Sequence, residues 1–290
     1  QISGGQSVNF AIPSERISQL QVASVMSLAD LVATSGRNKR AKAVQSFRDG
    51  LSFLSKDDCE KALPYFEKAV EADNSYAEAW AQAGFCNEKL GKHAEALEAS
   101  KKAVGLRPSA ESYFNIGLAN FYLKQYRESA EAYRAAIKLD PYNSADAYYA
   151  LGLVYRDWGK ADEEIQAYKQ AIRLRPDYTV AYERLGSRYL KSKKFNEAVE
   201  VFRQLAALKP GDPFAPNSLG EAYLELNKLN EAQESFRQSI RLKPDFGKAY
   251  YNLGKCLLAM GNRDGALEQY TILTNIDPDW AEKLNAIINP

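Results

Sequence analysis

Residues 145–178, ADAYYALGLVYRDWGKADEEIQAYKQAIRLRPDY, decide the fold. Apolar side chains fall at helical spacing in two runs, Tyr148, Leu151, Val154 and Tyr155, then Ile165, Tyr168, Ala171 and Ile172. Each run therefore forms an amphipathic helix with one stripe to bury. Pro176 stops the second helix, because proline lacks an N–H and disfavours helix in the residue before it. Gly152 stands where the two helices cross and lets their backbones approach closely.

The same hairpin recurs. Glycines stand at Gly50, Gly84, Gly117, Gly152, Gly186, Gly220 and Gly254, at steps of 34, 33, 35, 34, 34 and 34. Twelve residues behind run Ala62, Ala96, Ser129, Glu164, Ala198, Ala232 and Ala266, and a third, mostly proline register runs Asn74, Pro108, Pro141, Pro176, Pro210, Pro244 and Pro278. All three share a one-residue slip around the third copy, so one repeat is present seven times. A lone hairpin cannot bury its stripe, so neighbours stack and the array is stabilised by nearest-neighbour interfaces. The stack curves, with the first helices on a concave wall.

These residues resemble the tetratricopeptide repeat. Copies fall at 43–76, 77–109, 110–144, 145–178, 179–212, 213–246 and 247–280. The aromatic at the family's fourth position is Trp80, Tyr113, Tyr148, Tyr182 and Tyr250, and that at position 24 is Phe66, Tyr133, Tyr168, Phe202, Phe236 and Tyr270. Ser46, Ser100, Ser129, Glu164 and Pro216 depart from the pattern. The resemblance implies an all-α, right-handed α-solenoid of seven hairpins, and a scaffold that binds a polypeptide in its concave groove. Residues 281–290 then form a capping helix, with Trp280, Leu284, Ile287 and Ile288 on one face.

Carrying the family's wall positions over, the peptide-binding candidates are Arg48, Phe85, Asn115, Tyr122, Tyr149, Arg156, Arg184, Asn217, Tyr251 and Asn252. The first four copies then present a mostly aromatic wall, the last three a mixed-charge one that includes Lys191, Glu221, Glu225, Lys248 and Lys255. Phe47, Phe85 and Phe114 have two open readings, groove or packing between hairpins. The family's clamp for chaperone C-termini needs Lys and Asn at positions 5 and 9 of one copy, Asn at 6 of the next, then Lys and Arg at 2 and 6. No three consecutive copies supply it, so chaperone-tail binding is not expected.

Outside the repeats, residues 7–12 are expected as a short strand ending at Pro13, followed by a helix capped by Ser14 and running to about Gly36. Gly4 to Ser14 resembles the last strand and closing turn of HtrA-type trypsin-like proteases. That implies a parent protease with a repeat tail and an extracytoplasmic, for example periplasmic, location; without it the location defaults to the cytoplasm. Ser3 is not read as its nucleophile, since the only histidine, His93, lies in the second repeat and leaves no base. Arg37 to Lys42 is expected as a basic linker.

Composition narrows the classes further. The chain is 46% hydrophobic, 26% charged and 11% aromatic, as in ordinary well-packed proteins. Its 38 Lys and Arg against 37 Asp and Glu leave a net charge of +1, with no general field for nucleic acid or an anionic membrane. No stretch approaches the ~18–20 apolar residues of a membrane span. Since Gln1 stands where a start Met would, any targeting segment lies upstream. Cys59, Cys86 and Cys256, an odd number at wide spacing, argue against a disulfide framework and read as small packing residues or turn residues. No cofactor, zinc ligand set or paired-carboxylate site is expected, and no enzymatic activity. Self-association is the rival to peptide binding, because open arrays can stack end to end.

Overall fold

The computed structural model describes residues 28–289. The expected strand at 7–12, the start of the helix after it and Ser3 lie outside the described residues. Among the described residues the fold is entirely helical: seven antiparallel hairpins and a terminal helix. The hairpins are α1 (Leu28–Leu54) with α2 (Cys59–Ala72), α3 (Ala77–Lys89) with α4 (His93–Leu106), α5 (Ala110–Tyr122) with α6 (Tyr126–Leu139), and α7 (Ala145–Trp158) with α8 (Ala161–Leu174). They continue as α9 (Thr179–Lys191) with α10 (Phe195–Leu208), α11 (Phe214–Glu225) with α12 (Leu229–Leu242), and α13 (Gly247–Ala259) with α14 (Arg263–Ile276). Each second helix packs on the first helix of the next copy, and α15 (Pro278–Ile288) covers α13 and α14.

The glycine register works by exclusion. A Cβ on Gly152 would lie 2.4 Å from the Tyr168 ring, and one on Gly186 or Gly220 would lie 2.5 Å from Phe202 or Phe236. All three rings are fully buried. Each aromatic thus occupies the space its glycine leaves, and the two residues set the helix separation together. In the second copy Ser100 replaces the ring opposite Gly84, and in the seventh Leu284 of α15 fills the place opposite Gly254. The capping helix therefore completes the last hairpin. Asp277 caps it by accepting from Trp280 N at 3.3 Å, and Ala281, Leu284 and Ile288 are buried.

Every hairpin turn contains one left-handed residue at the same place in the repeat: Asp57, Gly91, Lys124, Gly159, Lys193, Asn227 and Gly261, with φ between 55° and 79°. The backbone then closes back on the first helix, as where Lys194 N donates to Tyr189 O at 2.9 Å. Lys124 and Lys193 carry a Cβ in a conformation that disfavours one. Replacing either by Gly should raise stability by about 0.5–1 kcal/mol, read from denaturant melts; a loss in both variants would contradict the strain assignment.

Residues 37–42, expected as a linker, lie inside α1, which runs unbroken through Gly36. Arg, Lys and Ala are strong helix formers and the run holds no proline, so nothing there stops a helix. Arg40 also anchors it, with Nη1 2.5 Å from Asp73 Oδ2 and the guanidinium 4.1 Å from the Tyr76 ring centre.

Candidate peptide-binding groove

The first helices form the wall, but its aromatic row faces partly inward. Phe47 lies against Phe66 and Tyr76 at centroid distances of 5.6 and 5.0 Å, and Phe114 meets Tyr133 edge-on at 5.1 Å. Tyr149 packs on Tyr168 and on Tyr178 of the connection to the next copy, at 5.8 and 5.3 Å. Phe85 packs on the core cluster that contains Cys59 and Cys86. These half-buried rings pack into seams between helices.

Tyr122 is 54% exposed and stacks on His93 at 4.6 Å, bridging the end of α5 to the preceding hairpin turn. His93 Nδ1 is 2.9 Å from the buried Glu88 Oε1. Asn115 is buried and its Nδ2 lacks a hydrogen-bond partner. Arg48 and Arg184 are exposed. Arg156 Nε donates to Asp157 Oδ1 at 2.6 Å, and this hydrogen bond holds the guanidinium more firmly protonated still.

Behind Arg156 and Arg184 lies a buried polar layer. Glu164, where most copies have Ala, is 2% exposed, and Arg188 Nη2 approaches its Oε2 at 2.5 Å. Neither Glu164 Oε2 nor Arg188 Nε has a hydrogen-bond partner, so the contact is a charge pairing of poor angle. Burial pushes the Glu164 carboxyl up, and Arg188 pulls it back in part. Burial likewise pushes up the Tyr168 hydroxyl, which has no partner.

The second half of the wall is built differently. Asn252 Nδ2 of α13 donates to Asn217 Oδ1 and Glu221 Oε1 of α11 at 3.0 and 2.9 Å. Asn217 Nδ2 donates to the same Glu221 oxygen at 3.0 Å, and Lys248 Nζ sits 2.6 Å from it. Three donors converge on one carboxylate oxygen, a charge-assisted network across the seam. Beside it lies a cleft of about 400 Å³ shared by α9, α11 and α13. Leu190 and Leu224 give it apolar surface, and Lys191, Lys255 and Glu225 give it charge. Tyr251 packs on Trp280 of the cap at 4.7 Å.

Of the ten candidates the structure brings Asn217 and Asn252 into one site; Arg156 and Arg184 both lie near Tyr168, and the rest stand apart along the wall. Leu190 and Leu224 had no place among the candidates. Both occupy the wall's twelfth repeat position, which was the available signal. Among the described residues no group of three His, Cys, Asp or Glu side chains could hold a metal ion, and no helix is long and apolar enough to cross a membrane.

A stack of two-helix units with a polar concave wall defines an α-helical repeat protein. The chain belongs to the tetratricopeptide repeat family: models of that repeat match residues 47–111, 114–179, 165–213 and 248–279, and a related one matches 220–261. Among solved structures, MamA is 33% identical, with a TM-score of 0.53 over 56% of this chain and 94% of MamA. A repeat protein from Cytophaga hutchinsonii shares the fold, with a TM-score of 0.72 at 16% identity over 80% of this chain and 95% of that one. The Hsp70-Hsp90 organizing protein of Triticum aestivum is 29% identical over 84 residues, 29% of this chain and 14% of that protein. The SGT1 homolog of Bos taurus is 29% identical over 117 residues, 40% of this chain and 34% of that protein. The match thus spans about a third or less of these curated relatives.

Proposed function

We propose that the array is a non-catalytic protein–protein interaction scaffold that holds a polypeptide segment against its concave wall, anchored at the cleft between α9, α11 and α13. The cleft carries this reading, because it joins apolar surface to charged groups and is framed by side chains already held in place. Rows of wall residues recurring once per repeat suit an extended or helical peptide. The wheat relative, named as an organiser of two other proteins, supports a binding role. The missing clamp argues against a chaperone tail as the ligand.

A peptide ligand selected by display against the full chain provides the test. Lys191→Glu and Arg184→Ala should each weaken binding by about tenfold, ~1.4 kcal/mol, and leave the melting temperature unchanged, since both side chains are exposed. Lys169→Ala, on a second helix, should do neither. Unchanged affinity in the groove variants together with loss in convex-face variants would overturn the reading; concentration-dependent light scattering would then favour self-association.

The likeness of Gly4 to Ser14 to the end of a trypsin-like protease supports a second reading, in which the array is the regulatory or targeting tail of such an enzyme. The reading frame upstream of Gln1 tests it: no protease sequence there ends the idea.

A further inference from the structure

Cys59, the first residue of α2, and Cys86, in the C-terminal half of α3, belong to different hairpins, yet their sulfurs lie 2.8 Å apart in the buried seam between copies one and two. Cys256 holds the same place in the last seam as Cys86 does in the first, and there the facing residue is Leu229, whose carbonyl oxygen is 3.3 Å from the Cys256 sulfur. Only the first seam carries a cysteine on both sides. We propose that Cys59 and Cys86 are a disulfide-forming site that fastens the first hairpin to the second in the presence of a peroxide oxidant.

The thiol pair stands less than about 1 Å beyond the ~2.05 Å of a bonded one, so little approach is left for the sulfurs to make. Both are buried, Cys59 at 5% exposure at the head of α2 and Cys86 at 0%, so Cys59 is the less enclosed of the two and the one assigned to meet a small oxidant when the terminal seam opens. Burial, and then Cys59 itself, hold the Cys86 thiol well above its ordinary pKa, so it waits protonated. The Cys59 thiolate attacks the peroxide O–O bond, forming a sulfenic acid and releasing hydroxide, which takes up the proton the thiol lost. The Cys86 sulfur then displaces the sulfenic hydroxyl, and the Cys86 proton leaves with it as water. Two thiols and one hydrogen peroxide give one disulfide and two waters, with two electrons passing to the peroxide. The first hairpin has only one repeat neighbour among the described residues, and terminal repeats are where such arrays open first. A cross-link there closes the seam most prone to open.

The full chain is treated with a few equivalents of hydrogen peroxide, digested without reduction and mapped by mass spectrometry. The expected map shows Cys59 joined to Cys86 within one chain and Cys256 still reduced, and the bond reverses with dithiothreitol. In native-state hydrogen exchange, amides of α2 and α3 should slow by about tenfold or more, and those of α13 should not. Cys59→Ala should lose both the link and the slowing. Three reduced thiols, sulfinic acid at Cys59 without a link, or links only between chains would overturn the site. A link that leaves exchange unchanged would overturn the fastening.

Discussion

Phe202→Ala should destabilise the array by about 3–5 kcal/mol, the range for removing a fully buried aromatic side chain. The ring fills the space Gly186 leaves and meets Phe214 of the next copy at 6.2 Å, so it serves both the fifth hairpin and its seam with the sixth. Ordinary core truncation lowers one stability; here two nearest-neighbour quantities fall at once. Unfolding of the variant should therefore occur in two steps, with copies one to four and copies six to seven melting apart. Trp80 and Trp158 report on the first block and Trp280 on the second. Urea titrations of variants that retain one tryptophan each provide the measurement. A loss under about 1 kcal/mol with coincident transitions would show that the seam tolerates the cavity.

Arg188→Met is the second large effect, about 3–5 kcal/mol, because it strands the Glu164 charge in the interior. The sign with pH follows from the raised Glu164 pKa. A carboxyl shifted up by folding opposes folding while it is ionised, and that opposition fades as pH falls through its folded pKa. The deficit of Arg188→Met relative to the parent should thus shrink as pH is lowered from neutral. The repeat itself supplies a rescue. At the equivalent seam one copy earlier the pair is Ser129 and Val154, both buried, with Ser129 Oγ donating to Gly117 O at 2.6 Å. Glu164→Ser with Arg188→Val transplants that pair and should recover most of the loss, since a packed pair can replace a buried ion pair at little cost. Equal instability of the single and double variants would refute the stranded-charge account.

The repeated hairpin and its capping helix were readable because each rests on a residue type that physics leaves few options: Gly152 under a ring, Pro176 after a helix, a polar face on the last helix. The left-handed turn was not, since four of its seven residues are Asp, Lys or Asn, whose identity does not announce the conformation. Arg37 to Lys42 misled for a related reason: a charged run looks like a linker, while its helix propensity and the Asp73 and Tyr76 contacts decide otherwise. In the groove, repeat position assigned residues to a wall but could not say which way a ring leans. Tyr149 leans into the seam with Tyr178. The Cys59–Cys86 contact was hidden in the same way, because neighbours across a seam are set by the rotation between copies and not by spacing within one.

The cross-seam network has a mechanical consequence for the cleft. On one side α11 and α13 are stitched on the groove face by the Asn217, Glu221, Lys248 and Asn252 set. On the other, α11 is held to the α9–α10 hairpin from the far side, where Arg203 donates to Tyr223 Oη at 2.6 and 3.1 Å, while among the described residues no side-chain hydrogen bond joins α9 to α11. The cleft is therefore tied by hydrogen bonds on its α13 side and held by apolar packing on its α9 side. Bending the superhelix would widen or narrow it by swinging α9, with Leu190 and Lys191, against the tied α11–α13 pair.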